Sequence, residues 1–232
     1  MKRAYTVLTI VLVALAASRA GAHGIGSAPT WNREISRLVY DKCASCHRPG
    51  GTAFSLMTYL DAQPRGNEIK DAVLARRMPP WGAIKGFGNF RNDQSLTQEQ
   101  VETFARWVDG GIRRGNNPRQ LPKTPVFAAT SPQLPPAGID VTGSTTLRQP
   151  VLLDGLMPVT VPPGASIRII AVLPSGAVEP LVWLHDYNNR FAHPFLFREP
   201  LTLAAGTAIR GMPAGTTVSL LTRSESASLN KH

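Results

Sequence analysis

Cysteine is nearly missing. The 232-residue chain has two, Cys43 and Cys46, so no disulfide framework can carry the fold. Acidic residues are also scarce, 15 against 25 basic, giving a net charge of +10. That imbalance favours an acidic partner or an anionic lipid surface. The basic residues are scattered rather than clustered with aromatics, which argues against nucleic acid as the partner. Aromatics make up 7% and charged residues 17% of the chain. No apolar run reaches the roughly 20 residues needed to cross a bilayer, so no integral membrane segment is expected once the N-terminus is removed. Histidine numbers only five, too few for crowded imidazole clusters. What the chain does have in quantity is 20 glycines and 20 prolines, the composition of many turns or a linker.

The N-terminus reads as an export signal. Lys2 and Arg3 form a positive start, Val7 through Ala17 an apolar run, and Ala20-Gly21-Ala22 a small-residue cleavage pattern. Removing residues 1–22 takes away three basic residues and no acid, lowering the charge to +7. The mature chain is expected to be periplasmic or otherwise exported. Cleavage there would leave His23 at the terminus, where an amine and an imidazole could chelate copper. The neighbouring His23-Gly24-Ile25-Gly26 run would hold a metal poorly.

The two cysteines stand in Cys43-Ala44-Ser45-Cys46-His47. Two thiols separated by two residues and followed by histidine is the pattern at which haem is attached covalently. One helical turn places both sulfurs along a porphyrin edge, where each adds across a vinyl group, and the next residue supplies a proximal imidazole. Covalent attachment in bacteria takes place outside the cytoplasm, so the leader and the motif support each other.

A six-coordinate iron needs one more ligand. Met78, in Arg76-Arg77-Met78-Pro79-Pro80-Trp81, offers a thioether stiffened by two prolines. Methionine is also a common core gap-filler, but Met57 lies beside the attachment site, and Met157 and Met212 lie beyond the proline-rich stretch. His185 and His193 are the alternative sixth ligands and would lower the potential. Helices are expected from Thr30 to about Lys42, from Asn67 to about Arg77, and after Thr97, where Thr97 and Gln100 form a capping box and Gly110-Gly111 ends the helix. Phe54, Leu56 and Tyr59 are expected pocket-wall residues.

Six prolines between Pro118 and Pro136 read as a semi-rigid connector. Beyond Gly138, short β-favouring runs (Val159–Val161, Ser166–Leu173, Leu181–Leu184, Phe195–Phe197, Thr217–Leu221) alternate with turn signals such as Pro162-Pro163-Gly164 and Asn188-Asn189. The organisation expected is a signal peptide at 1–22, a haem domain at 23–117, a proline-rich linker at 118–137, a β-sandwich at 138–223 and a disordered tail at 224–232. The fold class expected is two domains, an all-α cytochrome c-like haem domain followed by an all-β antiparallel sandwich.

Cys43 to Gly115 resembles the monohaem cytochrome c domain found in exported bacterial proteins related to copper type II, ascorbate-dependent monooxygenases. The matching features are Cys-Ala-Ser-Cys-His-Arg-Pro-Gly, Arg-Arg-Met-Pro-Pro-Trp, Asn92-Asp93 with Ser95-Leu96, and Trp107-Val108-Asp109-Gly110-Gly111. The resemblance implies one haem c on Cys43 and Cys46, with His47 and Met78 as iron ligands. The C-terminal half bears a weaker resemblance to the β-sandwich of the same relatives, in a degenerate form. His185, His193 and Met212 would be a minimal copper set, with ordinary hydrogen bonding as the plainer role for the two histidines.

The reading that follows is an electron carrier with no catalytic residues. Its partner would be a redox protein or a membrane-bound electron-transfer complex with an acidic docking surface. The alternatives are a copper monooxygenase-like enzyme fed by the haem, and a haem-based ligand sensor with a displaceable sixth site.

Overall fold

In a computed structural model the chain is described for residues 28–127 and 138–223. The export signal, His23, residues 128–137 of the proline-rich connector and the 224–232 tail lie outside the described residues. No helix among the described residues is long and apolar enough to cross a membrane.

The helices are short. A π-helical turn, Trp31–Ile35, runs directly into α1, Ser36–Lys42. Then come α2, Tyr59–Ala62, α3, Gly66–Leu74, and α4, Gln98–Asp109. Their ends are written locally. Thr97 and Gln100 exchange hydrogen bonds across the start of α4, as expected, and Thr58 with Asp61 does the same for α2. Such reciprocal caps satisfy amide hydrogens that have no partner within the helix. Buried Trp31, Ile35, Val39, Phe104 and Trp107 form the centre of a small apolar cluster, and the Trp107 indole donates to the Arg113 carbonyl at 3.1 Å.

Eight strands form two four-stranded antiparallel sheets. The strands are β1 Gly138–Thr142, β2 Thr145–Thr146, β3 Val151–Thr160, β4 Ile167–Val172, β5 Val178–Leu184, β6 Phe195–Leu203, β7 Ala208–Arg210 and β8 Thr217–Thr222. One sheet has the order β1-β8-β3-β6 and the other β2-β7-β4-β5. Alternate residues face inward, as in β4, where Ile167, Ile169 and Ala171 are buried. The inner faces share one core, including Leu153, Leu156, Ile169, Leu181, Leu184 and Phe195.

The expectation of an all-α haem domain followed by a separate all-β unit does not hold. The longest α-helix among the described residues has 12 residues, and between α3 and α4 the chain is non-helical from Ala75 to Thr97. Pro79 and Pro80 stop helix propagation there. The chain then uses this stretch to line the sheets. Ala83 bridges Leu184 of β5, and Phe90 bridges Phe197 of β6. The Ile84 amide donates to the Trp183 carbonyl at 2.9 Å, and the His185 amide to the Gly82 carbonyl at 3.0 Å. On the other sheet the Arg91 amide donates to the Leu196 carbonyl at 2.9 Å and the Arg198 amide to the Asn89 carbonyl at 2.8 Å. β5 and β6 are edge strands, so residues 82–91 cover an open edge of each sheet, a common protection against unwanted pairing. Trp81 and Phe90 belong to the sheets' core. Gly88, at φ +85°, permits the approach, since a Cβ there would lie 2.4 Å from the Leu181 carbonyl oxygen.

A β-bulge completes the attachment. The register of β3 shifts between Leu153 and Gly155 against both neighbours, which leaves Asp154 out of the ladder. Its carboxylate takes two bonds from the Arg91 guanidinium, at 3.1 and 2.7 Å, and one from Arg223 at 2.8 Å. The Arg91 bond first, then the charges of both arginines, hold the Asp154 carboxyl below its ordinary value of 3.8 against the opposing effect of burial.

Candidate haem-attachment site

The attachment turn follows α1 directly. Cys43 caps the helix, its amide bonded to the Val39 carbonyl, and the Cys46 and His47 amides both return to the Cys43 carbonyl, at 3.1 and 2.9 Å. This keeps Cys43, Cys46 and His47 within one turn. Ala44, between the thiols, is fully buried and ties the turn to the helix. The Leu56 amide donates to the His47 carbonyl at 3.1 Å and the Ala53 amide to the Cys46 carbonyl at 3.2 Å, so residues 53–56 fold back over the motif. The fold-back is tight enough that a Cβ on Gly51 would lie 2.2 Å from the Cys46 carbonyl oxygen.

The donor chemistry suits a covalently held porphyrin. Both cysteines are free thiols. Cys46 is exposed and Cys43 more enclosed, and burial, reinforced by Asp41, pushes the Cys43 thiol up to about 12. His47 Nδ1 lies 2.9 Å from the Phe54 carbonyl. A carbonyl only accepts, so Nδ1 carries the hydrogen and Nε2 keeps its lone pair. Metal-bound histidines are oriented in this way, with the far ring nitrogen donating to a fixed acceptor. The Phe54 ring packs edge-on against the imidazole at 4.7 Å between centroids, and the Arg65 guanidinium lies 4.0 Å above that ring. Phe54 is nevertheless 47% exposed, a large apolar surface beside an available imidazole nitrogen. Sequence inspection picked Phe54 as a pocket wall but missed its carbonyl as the group that orients His47. A backbone acceptor leaves no side-chain signature.

Met78 lies on the loop after α3. Its amide donates to the Ala72 carbonyl at 3.3 Å, and the Arg77 amide to the same oxygen at 2.9 Å. Among the described residues no hydrogen bond joins Met78 to the attachment turn. Two basic residues here are engaged elsewhere. Arg76 donates to the Leu96 carbonyl and the Gln98 side chain, both at 2.7 Å, and Lys85 pairs with Asp93.

No protein-family model, no curated protein and no solved structure matches this chain. The case for the site therefore rests on its own residues.

Among the described residues, His185 and His193 are not gathered into a metal-binding group. His185 is exposed after β5, and its described bond is the backbone one to Gly82. His193 packs on Trp81, nearly parallel at 28° and 4.9 Å, and on Phe195 at 4.8 Å. Its Nδ1 donates to the Phe191 carbonyl at 2.8 Å, while its Nε2 is buried without a partner. Burial lowers its pKa from 6.5, despite that hydrogen bond. Met212 lies in the sheets' core. Among the described residues no group of three or more His, Cys, Asp or Glu side chains is placed to hold a metal ion.

Proposed function

We propose that this chain is an exported one-electron carrier with a single haem c held by thioether bonds to Cys43 and Cys46. His47 is the proximal ligand, through Nε2, and Met78 the second axial ligand. The bound group would supply a ferric–ferrous couple. The chain's part is to fix the imidazole, exclude water from the iron and leave an edge accessible to a partner. No general acid or base is needed for that task.

The observation that carries this reading is the attachment turn itself: two free thiols and an imidazole within one turn, with Nδ1 committed to the Phe54 carbonyl and Nε2 left as a ligand. The resemblance of the motif series to the cytochrome c domain found with copper type II monooxygenase-related proteins supports the same reading, as does the export-type N-terminus. The net charge suits a redox protein or membrane-bound complex with an acidic docking surface.

Producing the chain with its leader in a host competent for cytochrome c maturation tests the proposal. The expected product retains haem absorbance after denaturation and acid–organic extraction. Cys43→Ala/Cys46→Ala should lose all covalently retained haem. Recovery of the exported wild-type chain with two thiols open to alkylation and no retained haem would refute the assignment.

A further inference from the structure

We infer that the two-sheet unit is the positioning element for the iron's sixth ligand, with Asn92 and His193 as its positioning residues. The inference rests on the Met78 assignment above and gives the sheets a task other than partner docking.

Met78 is separated from Trp81 by only Pro79 and Pro80, and prolines leave little torsional freedom. Whatever fixes Trp81 therefore limits where the Met78 sulfur can go. Trp81 is 5% exposed; two sheet-side rings hold it, His193 stacked on its face and Phe195 edge-on at 4.9 Å, together with Phe90 of its own loop at 5.8 Å. Downstream, the chain cannot slide. Residues 82–84 are bonded to β5 and residues 89–91 to β6. The Asn92 side chain then closes the segment, donating through Nδ2 to the Pro194 carbonyl at 2.7 Å and accepting through Oδ1 from the Leu196 amide at 3.1 Å. Asn92 thus grips the same 193–196 stretch that presents His193 to Trp81. The methionine loop is tethered to α3 on one side and to both sheet edges on the other. A ligand held this way gains affinity because little freedom remains to be lost when it binds.

The test uses the full-length, haem-loaded protein. Asn92→Ala and His193→Ala are compared with His193→Phe, which keeps a flat ring against Trp81, and with Met78→Ala as the reference for a lost ligand. The readouts are the long-wavelength charge-transfer band of methionine sulfur on ferric iron, the midpoint potential, and carbon monoxide binding by the reduced protein. Covalently retained haem and the thermal midpoint are recorded alongside. Asn92→Ala and His193→Ala should keep their haem, weaken the band, lower the potential and raise carbon monoxide affinity about tenfold, as expected when roughly one or two hydrogen bonds' worth of positioning is lost. His193→Phe should stay close to wild type. If Met78→Ala abolishes the band while Asn92→Ala and His193→Ala change only the thermal midpoint, the positioning role is overturned and the Met78 assignment stands. If Met78→Ala leaves the band and potential unchanged, the Met78 assignment itself fails. If His193→Phe abolishes sixth-site ligation as fully as His193→Ala while Met78→Ala leaves it in place, His193 is a ligand rather than a positioning residue, and the inference is again overturned.

Discussion

The two apolar clusters of this chain differ in how they are closed. The sheets' core is enclosed by strands on both faces and by residues 81–91 along two edges. Phe195, Leu153 and Leu156 are among its fully buried members. The helical cluster is smaller, and its half of the molecule leaves Phe54, Leu60 and Leu74 substantially exposed, as the strands leave Ile139, Val159 and Val178. Short helices with exposed apolar side chains make a weak core by themselves, because burial of apolar area is the main favourable term in folding. Under the proposed function, the helical half is completed from two sides, by the porphyrin at the attachment turn and by the sheets through the methionine loop. The sheets draw in turn on the loop's Trp81 and Phe90.

That contrast can be broken most severely at the thiols. Cys43→Ala/Cys46→Ala should remove the haem and selectively loosen the helical half. Amide exchange should accelerate in α1 and α4 and stay slow in β3 and β8. Equal acceleration in both halves would mean that the sheets also depend on the group. Next in size is Phe195→Ala. Deleting a fully buried ring costs about 3–5 kcal/mol, and because Phe195 also supports Trp81, denaturant unfolding should show both halves weakened.

Asp154→Ala should cost about 1–3 kcal/mol, since it leaves two arginines without their shared acceptor. It should loosen residues 89–92 first, which amide exchange can resolve. The pH dependence of the stability carries a matching signature. The native Asp154 carboxyl is held below 3.8, so its contribution is complete above that value and is lost as pH falls through the lowered one. Asp154→Asn should remove that step. The steps from Asp93 and Asp61 should remain, because hydrogen bonds lower both carboxyls despite their burial. Smallest is Thr97→Ala, worth about 1 kcal/mol through the capping box of α4, and confined to the helical half.

Much of this was legible in the sequence because it is local. The α4 cap spans four residues, and β4, β5, β6 and β8 overlap short β-favouring runs set between turn residues. The 81–91 segment was not legible as part of the sheets. Its pairings with β5 and β6 cross about 100 positions of sequence and consist of isolated bridges, while its three glycines, preceded by Pro79 and Pro80, read as loop. One signal was present: Trp81, Phe87 and Phe90 are too many aromatics for a loop in water, and a segment carrying them must bury them against something. His193 reads in the sequence as a metal ligand or an ordinary hydrogen-bonding residue, since stacking on a distant tryptophan has no local pattern. The expected all-α unit failed for the same reason. The stretch between its helices is held by strands that lie far beyond it in the chain.

The most direct test of the central claim is a redox-titrated optical spectrum of the purified full-length protein, taken after haem attachment in a competent host. The account predicts one haem per chain retained on denaturation, a low-spin spectrum in both oxidation states, and a methionine–iron band that disappears in Met78→Ala. A chain that carries no retained haem, or one whose reduced form takes up carbon monoxide immediately and shows no such band, would contradict it.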